Sequence, residues 1–177
     1  MRAALGVVVV CCALTGCTGD PSPAPSGPPS PPAPVTPPAP ALPSGAVALD
    51  CSAPIDTLAE PPAGYTTAAG VIALADREPV GLSASAPLDP HHRFGKTGLL
   101  VRAGRTATLS VGPEAAISWG NTGSEWTRTL YVPVCPQPAG AHGPWLAYPG
   151  GYSVDAPACL PVVINGVTLR IPLGRPC

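Results

Sequence analysis

Few residues in this chain could do acid–base or metal chemistry. There are three histidines: His91 and His92 sit side by side in "DPHHRFG", and His142 lies in "GAHGPW". A serine, histidine and aspartate set can be written down from Ser153, His142 and Asp155, yet nothing in the spacing fixes their mutual geometry. The strained G-x-S-x-G turn that exposes a serine nucleophile is absent. So is an S-x-x-K motif, because the one lysine, Lys96, follows an arginine at the required position. Neighbouring residues of a strand point to opposite faces, so His91 and His92 share a metal only from a loop, with Asp89 or His142 as further ligands. Four cysteines, Cys51, Cys135, Cys159 and Cys177, contain no C-x-x-C pair, which argues against a zinc site. The reading favoured here has no catalytic residue, no metal and no cofactor. The competing reading is a small extracellular hydrolase or metal-handling protein using His91, His92 or His142.

What the cysteines do depends on where the chain resides, and its first 44 residues speak to that. Met1-Arg2 precedes an apolar run over residues 3 to 14, too short for the roughly 20 residues that span hydrocarbon but right for a secretory leader. The run ends in "LTGC", Leu14 to Cys17, which resembles the lipobox of bacterial lipoproteins. The resemblance implies cleavage after residue 16 and diacylglycerol attached to Cys17. Cys11 and Cys12 lack the small preceding residue that the motif requires. Two or three acyl chains hold a membrane stably where one does not. Residues 17 to 44 then form a proline-rich segment, with 12 prolines in the 23 residues from Pro21 to Pro43. Such a composition builds no core and favours extended polyproline II, a semi-rigid stalk reaching about 80 Å. The expected location is the outer side of a cell membrane, lipid-anchored.

In that oxidising setting the four remaining cysteines read as two disulfides. Three pairings are possible. Cys135–Cys159 with Cys51–Cys177 is the expected one, the second bridge tying the start of the domain to its last residue. Cys159–Cys177 would bracket a hairpin at Asn165-Gly166, but the hairpin register sets Cys159 opposite Pro172, so Cys177 overshoots by about five residues.

The elements positioning these residues read as strands. From residue 45 to 177 short apolar runs alternate with Gly, Pro, Asn and Asp, from "GAVAL" (45–49) to "VTLRIPL" (167–173). Asn165-Gly166 between β-branched runs is a two-residue hairpin signal. After Ala103-Gly104-Arg105, Thr106, Thr108 and Ser110 alternate with Ala107, Leu109 and Val111, giving one polar and one buried face. No window of helix length has a 3.6-residue apolar period, and the prolines forbid long helices. The expected fold over 45–177 is all-β, an antiparallel β-sandwich of the immunoglobulin-like or a related kind.

Charged residues make up 11% of the chain and the formal net charge is −1, which leaves no basic face for nucleic acid or anionic lipid. The aromatics offer a better binding surface. "PWLAYPGGY" places Trp145, Tyr148 and Tyr152 around an expected Gly-Gly turn, and Trp126 stands in the polar "NTGSEWTR" loop with Glu125 and Arg128 beside it. Amphipathic rings on a sandwich surface grip sugars and protein partners. Trp119 and Trp145, on Ala/Ile/Leu-flanked strands, are expected in the core; Trp126, Tyr148 and Tyr152 are the candidate surface.

The string "GLLVRAGRTATLSV…ISWGN…VPVCP…WLAYPGGYSVDAPACLPVVI…PC" resembles a group of exported actinobacterial lipoproteins without assigned activity. That resemblance covers most of residues 90 to 177, implies location and a disulfide framework, and transfers no catalytic residue. The combined expectation is a non-enzymatic module on a stalk, binding a cell-wall polymer or a surface protein.

Overall fold

A computed structural model describes residues 42–52, 54–86, 89–120 and 125–177. The expected leader, Cys17 and the expected stalk up to residue 41 lie outside the described residues. Among those described there is no helix. Twelve strands form two sheets.

The first sheet has five strands in the order β1 (Val47–Ala48), β9 (Thr129–Val132), β7 (Ala107–Val111), β11 (Ala158–Ile164) and β12 (Val167–Leu173). The second is built on β10 (Trp145–Val154) and β6 (Arg93–Arg102), paired antiparallel over ten residues from Trp145 opposite Arg102 to Val154 opposite Arg93. At one end β2 (Asp56–Leu58) flanks β10, while β4 (Ile72–Ala75) and β3 (Tyr65–Ala68) extend beyond β6. At the other end β8 (Ala115–Trp119) flanks β10 and β5 (Leu82–Ala84) flanks β6. Side chains from both sheets share one core, including Leu109, Leu130, Val162 and Ile171 from the first and Ile72, Leu99, Leu146 and Trp119 from the second. The fold is the all-β sandwich that the apolar runs predict.

Asn165 (φ 47°) and Gly166 (φ 84°) make the expected turn, with Ile164 opposite Val167. Asn165 also accepts from the Thr108 amide through Oδ1 at 2.9 Å, so the same turn is fastened to β7. On β7 the alternation holds for its first four residues: Ala107 and Leu109 are buried and Thr108 and Ser110 partly open, while Val111 at its end packs against the core but is only partly buried.

The strand β10 departs from expectation. Pro149-Gly150-Gly151 is no turn; it is the middle of the ten-residue β6–β10 ladder, the longest among the described residues. The glycines are there because neighbouring backbones press on them. A Cβ on Gly150 would overlap the Ser118 carbonyl oxygen and come within 2.6 Å of the Trp119 ring, and one on Gly151 would overlap the Gly95 carbonyl oxygen. Continuity of β10 sets the fate of its aromatics. With a period of two, Leu146, Tyr148, Tyr152 and Val154 enter the core, while Trp145 and Ala147 join Ala73 and Leu100 in a small apolar cluster on the outer face. Tyr148 and Tyr152 are fully buried, which removes them from the candidate binding surface. Trp119 and Trp145 are buried as expected.

Two disulfides form, but with other partners than expected: Cys51–Cys135 and Cys159–Cys177. The first follows from a parallel pairing of β1 with β9, Val47 opposite Leu130 and Ala48 opposite Tyr131. Parallel strands carry their following residues to the same end of the sheet, so Cys51 and Cys135 arrive together with Cα atoms 5.3 Å apart. The hairpin register does put Cys159 opposite Pro172. The overshoot of Cys177 is taken up by Gly174, at φ 66°, whose amide donates to the Val80 carbonyl at 2.8 Å. The last three residues turn back there, and Cys177 meets Cys159 at a Cα separation of 5.0 Å.

Candidate functional site

Because β6 and β10 run antiparallel in full register, the residues entering β6 lie beside those leaving β10. The loop Asp89-Pro90-His91-His92 therefore packs against Ser153 and Asp155. The His91 amide donates to Ser153 Oγ at 3.2 Å, and His91 Nδ1 stands 3.0 Å from Asp155 Oδ2. The His92 amide donates to the other oxygen of the same carboxylate at 3.3 Å. The His91 hydrogen bond, with further help from the His92 amide, holds the Asp155 carboxyl below its ordinary range. A carboxylate on Nδ1 favours the tautomer with its proton there and directs Nε2 away from Asp155.

Trp126 is fixed on the other side of the loop. Its Nε1–H donates to Asp89 Oδ1 at 2.8 Å, and its ring meets Phe94 edge to face with centroids 6.0 Å apart. Asp89 is held in turn, since its Oδ2 accepts from the Ala86 amide at 3.0 Å. Thr127, the next residue, exchanges backbone hydrogen bonds with Ile117 at 2.8 and 3.0 Å, anchoring Trp126 to the edge of β8. The indole is half-buried, its Nε1–H bonded to Asp89 and its ring packed at a steep angle against Phe94.

Between these groups lies a cleft of about 390 Å³, walled by Pro90, His91, Pro113, Trp126 and Arg128, with Ala116 among its lining residues. Its volume falls within the range of small-ligand sites. Its ionisable lining groups, His91 and Arg128, are both of the basic type.

The structure thus brings together two features that the sequence presents separately, the "DPHHRFG" loop and Trp126. It does not bring the three histidines together. The His142 amide donates to Thr57 on β2 at 2.8 Å, beside the opposite end of β10. Thr57 pairs with Leu146, whereas His91 sits at Ser153; seven strand residues separate those positions, about 23 Å. Among the described residues no group of three His, Cys, Asp or Glu side chains could hold a metal. The paper set of Ser153, His142 and Asp155 is likewise divided, since Ser153 and Asp155 meet His91 instead. Ser153 is buried, and its hydroxyl bonds to the His91 backbone on both its amide and carbonyl sides. Phe94, Pro90 and Pro113 carry no signal of their own in the sequence. Phe94 becomes legible only once β6 is extended back to Arg93, which places it on the outer face with Leu100 inside the same alternation.

No protein-family model matches the chain, and neither does any curated protein or solved structure.

Proposed function

We propose that this chain is a cell-surface lipoprotein, acylated at Cys17 and held off the membrane by its proline-rich stalk, whose β-sandwich is a non-enzymatic binding module. Its targets would be a cell-wall polymer or a surface protein. The observation supporting this most directly is the Trp126 indole, clamped by Asp89 and Phe94 in the lining of a cleft. A rigid amphipathic ring gives up little conformational entropy on contact, so it suits recognition. Two disulfides within the domain fit an oxidising exterior.

The test is retention of the full chain on actinobacterial wall fractions and membrane-protein extracts, comparing wild type with Trp126→Ala. Truncating a buried aromatic anchor typically costs binding by at least about thirty-fold. Equal retention of the two proteins, with Trp126→Ala still folded by near-ultraviolet circular dichroism, overturns the reading. Acylation is checked separately by palmitate labelling, which Cys17→Ser abolishes.

The His91–Asp155 pair favours a second reading, a hydrolase in which His91 is the general base. It predicts turnover of simple esters that His91→Gln removes.

A further inference from the structure

We propose that the Trp126 cleft binds an acidic saccharide, a pyranose whose C–H face lies on the indole and whose carboxylate or phosphate is held by Arg128. This rests on the binding-module reading and names its ligand class. A pyranose presents an apolar face of axial C–H groups and a rim of hydroxyls, which matches a flat ring with polar groups around it. Trp126 supplies the ring, already immobilised by Asp89 and Phe94. Pro90, Pro113 and Ala116 supply apolar walls, and His91 offers Nε2 to a hydroxyl because Nδ1 faces Asp155. The cleft, at about 390 Å³, has room for a small saccharide.

Charge decides between a neutral and an acidic sugar. The carboxylates behind the cleft are turned to the protein: Asp89 accepts from the indole and the Ala86 amide, and Asp155 engages His91 and the His92 amide. Glu114 and Glu125 are sequence neighbours of cleft residues without lining it. Arg128 does line it, is exposed, and has no ion-pair partner among the described residues. Its planar fork suits a carboxylate or phosphate better than an ammonium would.

The test uses the full chain labelled with ¹⁵N-tryptophan, with the Trp126 indole resonance assigned through Trp126→Phe. Glucose, glucuronate, glucose 6-phosphate, acetate and inorganic phosphate are titrated in turn. Glucuronate or glucose 6-phosphate, or both, should shift the Trp126 resonance with at least about tenfold higher affinity than glucose, acetate or phosphate. The first two separate a carboxylate from a phosphate source. Arg128→Gln should bring the acidic sugars down to the level of glucose, and Arg128→Lys should fall between. Equal affinity for glucose and glucuronate, or no effect of Arg128→Gln, overturns the proposal. So does the absence of any shift by acidic sugar up to about 50 mM, well above the millimolar range of weak ligands. If wall retention still depends on Trp126 in that case, the module reading stands and only the saccharide falls; if wild type and Trp126→Ala are retained equally as well, both fall.

Discussion

Removing the disulfides one pair at a time should reveal unequal bridges. In the chain-entropy account, a bridge closing n residues takes about 2.1 + 1.5R ln n cal/mol/K from the unfolded ensemble. The sequence separations are 84 residues for Cys51–Cys135 and 18 for Cys159–Cys177, giving about 4.6 and about 3.2 kcal/mol at 25 °C. Packing widens the gap, because Cys135 is completely buried against the core whereas Cys177 is the exposed last residue. Urea unfolding followed by tryptophan fluorescence should therefore show Cys51→Ala/Cys135→Ala less stable than Cys159→Ala/Cys177→Ala by at least about 1.4 kcal/mol, roughly tenfold in the unfolding equilibrium. Thiol labelling of the first variant under denaturing conditions checks the pairing itself. With the bridges as described, Cys159 and Cys177 remain joined and unlabelled. Labelling of both, or a terminal bridge whose loss costs as much as the long one, would refute the reasoning.

Three further outcomes follow from particular residues. Tyr152 Oη is buried without a hydrogen-bond partner among the described residues, so Tyr152→Phe should leave stability unchanged or raise it by about 1 kcal/mol, and a loss above that in urea unfolding would show a hydrogen bond there. Asn165→Ala gives up both the left-handed backbone preference and the acceptor for the Thr108 amide; it should cost about 1–3 kcal/mol by thermal or urea unfolding, whereas Asn165→Gly should recover part of this. Asp155 has a folded-state pKa lowered from 3.8, so its contribution is present above that value and fades as pH falls through the lowered one. The stability difference between wild type and Asp155→Asn should accordingly shrink as pH falls below about 4, and a difference that grows over that acid range would contradict the pairing with His91.

The local signals were legible in the sequence. Asn165-Gly166 named its turn, Thr106 to Val111 named its faces, and the scarcity of helical periodicity named the fold class. What resisted reading was non-local. A parallel pairing of two-residue β1 with β9 leaves no periodicity to see, yet it decides the partner of Cys51. Gly150-Gly151 carries the composition of a turn, and only the press of Ser118 and Gly95 explains glycines in mid-strand. From that misreading came the misplacement of Tyr148 and Tyr152, since a turn would expose rings that a continuous strand buries. Half of the candidate site was visible as Trp126 and its polar loop. The other half needed the β6–β10 register, which sets a histidine loop beside residues more than sixty positions away. The overturned disulfide expectation has the same origin, because counting residues past a hairpin does not foresee a reversal at Gly174.

Amide hydrogen exchange of the full chain, with and without a retained wall fraction or extracted surface partner, tests the binding role of the cleft most directly. Slowed exchange should concentrate at residues 89–92, 113–116 and 126–128. Protection centred instead on the β11–β12 hairpin or the His142 loop, with the Trp126 segment unchanged, would contradict it.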